Sequence, residues 1–144
     1  MSRTHDLAWC AGFFDGEGFV TIQKRNSMVN GKRYEGYYLR IGINHVAVEP
    51  LLEMQRVLGG TIRKQSEHTV VGNRKQRHSW QMGCQAAKEA LIQMMPYFRN
   101  KQSVAELGIE LQNTMGNHGQ RTTPELQLLR AMLKEQISIL NAKD

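Results

Sequence analysis

The sequence predicts a mixed α/β domain in which one four-stranded antiparallel sheet carries helices on one face. Three observations lead there. Apolar Leu7, Ala8, Ala11 and Phe14 recur at helical spacing near the start; the period then switches to alternation in FVTIQKR; and a helix-strand-strand pattern occurs twice in succession before more helix. The order is αββαββα, with a C-terminal helix after it.

The first helix is expected to start from Thr4 or Asp6 as N-cap and to run into CAGFFDGEG, residues Cys10 to Gly18. Past Gly18, Thr21, Gln23 and Arg25 alternate with Val20 and Ile22, so one face of the strand is buried and the other is polar and long-armed. Asn30-Gly31 is a strong hairpin signal before YYLRIGI, whose alternation turns Tyr38 and Arg40 outward. VEPLLEMQRVLGG reads as a helix with Pro50 near its start and a glycine pair at its end. TIRKQ and HSWQMGC read as two strands around the basic turn VGNRKQR. A helix over residues 86–95 is interrupted by Pro96, another spans 100–111, and Thr123-Pro124-Glu125 opens an amphipathic last helix over 123–142.

At 144 residues the chain is long enough for one real core and short for two, so residues 1–144 are expected as a single domain. The formal charge is +6, and it is unevenly placed. From Lys24 to Arg77 eleven Lys/Arg face four acidic residues, whereas 78–144 hold seven against six. Local basicity of this kind suits a surface that tracks a phosphate backbone. Cys10 and Cys84 are too few for a disulfide framework and lack zinc-ligand spacing, so both are expected as buried thiols in a reducing compartment. The start MSRTHD has no apolar signal region, and no apolar run approaches the ~18 residues of a spanning helix. A soluble, intracellular protein is expected.

The chemistry concentrates in CAGFFDGEG. Ala8, Ala11 and Gly12 are small residues at helical spacing, which lets a second copy of the helix approach closely across a two-fold axis. Asp15 and Glu17 then sit at a helix C-terminus, where the partial negative charge opposes them. An acidic turn closed by glycine caps is one reading. The other is a divalent cation: Mg²⁺ takes one or two carboxylates and keeps open positions for water and phosphate, and Gly16 and Gly18 would let backbone and nucleic acid come close. An EF-hand is excluded, because Val20 stands where that loop needs its glycine and Asn26 where it needs its final glutamate.

CAGFFDGEG resembles the LAGLIDADG motif of homing endonucleases, with Cys10 at the usual Leu and Glu17 in place of the usual Asp. INHVAVEPLLEMQRVLGGTI resembles that family's strand, helix and glycine turn, and PYFRNKQ its lysine-bearing segment. The resemblance spans about 7–111. It implies a homodimer, since one motif copy is present, and a Mg²⁺-dependent nuclease with Mn²⁺ as a substitute. It implies Glu17 as metal ligand with the Gly16 carbonyl, Asp15 as a structural cap, Lys101 as the active-site lysine, and Asn44 or His45 as the polar residue ending the second strand. The interface would use Ala8, Ala11 and Gly12.

On that resemblance the sheet is a saddle over double-stranded DNA. Thr21, Gln23, Arg25, Tyr38 and Arg40 face out from the first two strands, and Arg63 and Gln65 share a face on the third. Arg77, His78 and Trp80 are candidates on the fourth, with Trp80 read as core. Lys32, Arg33, Arg74 and Lys75 lie in turns that suit phosphates. Arg and Gln suit guanine and adenine edges. A seven-residue strand pair covers about 23 Å, or roughly seven base pairs; loops and a second subunit extend this to a pseudo-palindrome on the order of twenty. The rivals are a repressor or an intron-RNA maturase on the same scaffold, and a basic interaction domain without catalysis. The scattered histidines give no HNH arrangement, and Gly36 to Tyr38 has no partner motif for the GIY-YIG class.

Overall fold

The computed structural model describes residues 2–65, 76–115 and 123–142. Helix α1 (Arg3–Glu17) runs into strand β1 (Gly18–Val29), which turns into β2 (Lys32–His45). Helix α2 (Glu49–Leu58) leads to β3 (Thr61–Lys64), and β4 (His78–Gly83) passes directly into α3 (Cys84–Met94). A 3₁₀ turn, Met95–Tyr97, precedes α4 (Gln102–Asn113), and α5 (Pro124–Ala142) closes the fold. The four strands form one antiparallel sheet in the order β1-β2-β4-β3.

The N-cap of α1 is Ser2, whose hydroxyl accepts from the His5 N–H at 3.2 Å, so the helix begins earlier than Thr4 or Asp6 would allow. The hairpin turn is the expected one. Asn30 and Gly31 have φ of 51° and 79°, the left-handed pair that matches the twist of two tightly joined strands. The strands themselves run well past the expected seven residues, with Val29 still paired to Lys32. Only residues 40–45 of β2 also pair with β4, so the outer part of the β1–β2 hairpin is a ribbon of two strands alone.

Alternation builds the core. Val20, Ile22, Leu39, Ile41, Ile43 and Trp80 are buried on one sheet face, beneath α1, α3 and α4, with Phe14, Leu91, Met94 and Leu111 among the helix residues meeting them. Trp80 is fully buried, as expected, and its indole N–H donates to the Gly59 carbonyl at 2.8 Å. The glycine pair is required there: a Cβ on Gly60 would lie 2.7 Å from the Trp80 ring nitrogen.

Three expectations need correction. Ala11 is fully buried in its own subunit's core with Cys10 and Phe14, so it is unavailable to a partner, whereas Ala8, Trp9 and Gly12 are exposed along the middle of that helix. Cys84 is exposed rather than buried, because it opens α3 at the surface with φ +56°. Cys10 is the buried thiol, and burial together with the nearby Glu53 and Asp6 carboxylates pushes its pKa up to about 11. His78 is the third. The register sets it on the same side as Trp80, the helix-covered face, away from the open surface expected of it.

Helix α5, unplaced by sequence, packs on α4 and β1. Thr123 caps it by accepting from the Leu126 N–H at 3.2 Å. Arg130 is buried and donates to the Thr114 hydroxyl and carbonyl at 2.9 and 2.8 Å; burial lowers its pKa. The Gln127 amide donates to the Glu35 carbonyl at 3.0 Å and Asn141 to the Val20 carbonyl at 3.0 Å, so α5 is fastened to the ribbon at two levels.

Candidate active site and recognition face

Helix α1 runs directly into β1, so its C-terminal carboxylates, Asp15 and Glu17, stand at the start of the first strand. Asp15 and Glu17 are treated differently. One Asp15 oxygen accepts from the Arg99 N–H at 2.6 Å, and the other from the N–H groups of Asn100 and Lys101 at 3.2 and 3.0 Å. These donors lie at the N-terminus of α4, where backbone N–H groups lack intrahelical acceptors and the partial charge is positive. Asp15 is therefore compensated by another helix, and the segment carrying Lys101 is bolted to the end of α1. Glu17 is exposed and has no hydrogen-bond or ion-pair partner among the described residues.

The glycines beside it differ too. A Cβ on Gly18 would lie 2.5 Å from the Phe14 ring, so Gly18 has a reason inside the fold. Gly16 is surrounded by open space, as is Gly12 one turn earlier. A free carboxylate next to the donor-less carbonyls of a helix end is an oxygen donor set that fits a hard divalent cation. Among the described residues no three His, Cys, Asp or Glu side chains form a closed metal site.

Asn44 and His45 separate by face. Asn44 is on the open side, where its Oδ1 accepts from Gln65 at 3.1 Å. His45 is on the helix side; its Nδ1 accepts from the Ala47 N–H at 3.0 Å and its ring meets Phe13 edge-on at 5.6 Å. Phe13 in turn contacts Trp9 at 5.4 Å, which continues the aromatic row to the exposed side of α1.

The register assembles the open face. Thr21 is opposite Arg40 and Gln23 opposite Tyr38, with Arg25 on the same side. Arg25 lies over the Tyr38 ring at 5.3 Å and donates to Gln23 at 3.2 Å. Arg63 is opposite Ser79, and the Gln65 N–H donates to the Arg77 carbonyl at 2.9 Å, so Gln65 and Arg77 close this face at its far edge. Lys32 and Arg33 are exposed at the ribbon end, on opposite sides of it. Arg74 and Lys75 lie outside the described residues.

Sequence reasoning left out Ser79, Gln81 and Thr61, which the register adds to the open face. A signal for two of them existed: taking Trp80 and Met82 as the buried set of HSWQMG turns Ser79 and Gln81 outward. No spacing could have revealed the Asp15 contact, which joins residues 84 to 86 positions apart.

A family model described as LAGLIDADG endonuclease matches residues 10–111. The chain belongs to that family. Membership makes it a site-specific DNA endonuclease, a DNA-cleaving hydrolase. Solved structures share the fold. I-CvuI in complex with the I-CreI target, in the presence of magnesium and with the DNA not cleaved, is 21% identical with a TM-score of 0.76, over 94% of this chain and 83% of that one. The archaeal intron-encoded homing endonuclease I-Vdi141I, complexed with DNA, is 13% identical with a TM-score of 0.72, over 96% and 86%. I-SmaMI, bound to uncleaved DNA in the presence of calcium, is 18% identical with a TM-score of 0.61; 94% of this chain covers 48% of that one. No curated protein matches the chain. No helix among the described residues of this LAGLIDADG chain is long and apolar enough to cross a membrane.

Proposed function

We propose that two copies of this chain grip a long pseudo-palindromic duplex and hydrolyse one phosphodiester bond in each strand, with Mg²⁺ as the working ion. The observation that carries this reading is the division of labour at the end of α1: Asp15 is consumed by the fold, and Glu17 is left exposed where β1 begins. The exposed Ala8 and Gly12 give the α1 helices a surface for close packing about a two-fold axis, with Trp9, 44% exposed, beside them. I-SmaMI, about half covered by this chain, supports the pairing, since one such fold corresponds to half of that molecule.

Glu17 and the Gly16 carbonyl are the groups that would hold the ion. When bound, a divalent cation supplies charge to a phosphoryl oxygen and lowers the pKa of a bound water. Lys101, anchored through its own backbone to Asp15, presents an ammonium that offsets the negative charge gathering on phosphate as water attacks phosphorus and the P–O bond to the leaving strand breaks. Asn44 lies on the same open face as a polar group able to orient solvent. The twelve residues of β1 span about 40 Å at ~3.3 Å each, roughly twelve base pairs. Two subunits therefore cover somewhat over twenty base pairs, slightly more than the shorter strands expected from sequence allow.

The test is to incubate the protein with a randomised duplex library in Mg²⁺ and in Ca²⁺, sequence any new ends, and run Glu17→Gln beside it. Ends sharing one two-fold-related site in Mg²⁺, absent in Glu17→Gln although that variant still binds the site, are the expected result. Unchanged cleavage by Glu17→Gln removes the metal-site assignment.

A further inference from the structure

We infer that Arg40 selects a guanine about three base pairs outward from the α1 terminus in each half-site, and that Gln81 and Ser79 hold its side chain for that task. This rests on the DNA-binding reading above and adds to it a base, a position and two supporting residues.

Arg40 belongs to β2, an interior strand, and its cross-strand neighbours on the open face are Thr21 on one side and Gly83 on the other. A short side chain and a bare backbone leave its guanidinium room. Its Nη1 donates to Gln81 Oε1 at 2.5 Å, and Gln81 Nε2 donates to Ser79 Oγ at 2.8 Å. The amide orientation follows from the chemistry, because arginine has only donors and so must meet the carbonyl end of Gln81. Ser79, 4% exposed, anchors the row at its inner end. The arginine is thus ordered before any ligand arrives, which lowers the entropy lost on binding.

The rest of the guanidinium, Nη2 and Nε, has no other partner among the described residues. Two parallel donors match the O6 and N7 acceptors of guanine in the major groove, whereas adenine sets its own N6 donor against them. Arg40, Gln81, Thr61 and Arg63 line a cavity of about 270 Å³ with Gly60 and Gly83 at its border, an indentation of the sheet face that admits a base edge. The position follows from register. Gly18 is opposite Ile43 and Thr21 opposite Arg40, a step of three residues, or about 10 Å and some three base pairs. Arg63 on the edge strand and Lys32 at the ribbon end are taken as phosphate contacts, so neither is assigned a base.

The experiment selects bound duplexes from randomised half-sites in Ca²⁺ with the wild type, Arg40→Gln, Gln81→Leu and Lys32→Ala, and measures the salt dependence of each complex. The wild type is expected to prefer guanine ~10- to 100-fold at one symmetric position. Arg40→Gln should move that position alone towards adenine, and Gln81→Leu should weaken the guanine preference several-fold. Lys32→Ala should weaken all sequences alike and reduce the salt slope by about one. If Arg40→Gln instead behaves as Lys32→Ala does, Arg40 is a phosphate contact and the inference is overturned. An unchanged guanine preference in Gln81→Leu overturns the supporting role. A shared site lacking any Arg40-dependent guanine defeats the inference alone, whereas no shared site at all defeats the DNA-binding reading with it.

Discussion

The ribbon formed by β1 and β2 has two ends built on different terms. At the root, near Gly18 and Ile43, one face is sealed by helices, β2 has β4 as a further neighbour, and the open-face side chains are joined by hydrogen bonds. At the tip every residue from Lys24 to Glu35 is exposed, including Met28 at 68%, and the ribbon lacks a third strand. The difference teaches where each kind of work is done. On the proposed reading, chemistry and base reading, which need fixed geometry, belong to the root, and the tip supplies reach and charge.

Substitutions test that division. The largest effect is expected at Lys101: Lys101→Met should slow cleavage by about 10²-fold or more with affinity and melting temperature unchanged, as single-turnover assays on a bound site would show. Asp15→Ala should cost both quantities, because three backbone N–H groups at the α4 terminus lose their acceptor; chemical denaturation should register a loss of roughly 1–3 kcal/mol, and cleavage should fall with it. Should Asp15→Ala match Lys101→Met in stability, the bolt between α1 and α4 is unimportant.

Glycine replacements sharpen the contrast further. Gly18→Ala forces a methyl to 2.5 Å from the Phe14 ring and should destabilise by about 1–3 kcal/mol through the core. Gly31→Ala meets open space at the tip, so only its φ of 79° opposes it, and about 1 kcal/mol is the expected loss. Equal losses would mean that the tip is as tightly coupled to the fold as the root. The smallest effect belongs to Lys32→Ala, whose melting temperature should match the wild type in a thermal scan while its affinity becomes less dependent on salt.

Much of this was legible in the sequence because period and punctuation are local. FVTIQKR announces a half-buried strand, Asn30-Gly31 a tight turn, and Thr123-Pro124 a helix start, and each is found where these signals put it. The site was legible in part for the same reason, since CAGFFDGEG is contiguous. What escaped depends on distance or on what else lies near. Ala11 is small and helical, like Ala8, yet it is buried because the helix rotation turns it towards the sheet. His78 follows the phase of Trp80, two residues along the same strand. The Asp15 contact and the Arg40–Gln81 pair join segments that only the completed sheet and helix layer bring together.

The fastening of α5 to the ribbon has a mechanical consequence. A two-stranded arm clamped only at its root would bend as a free cantilever, and small rotations there would be magnified into displacements of several ångströms at Met28 and Val29. Helix α5 changes the lever. Asn141 holds the arm at the Val20 carbonyl near its root and Gln127 holds it at the Glu35 carbonyl well along its length, with buried Arg130 fixing the helix between them. The helix is a strut. It confines elastic compliance to the few residue pairs between Ser27 and Tyr34, while the inner span keeps a constant curvature.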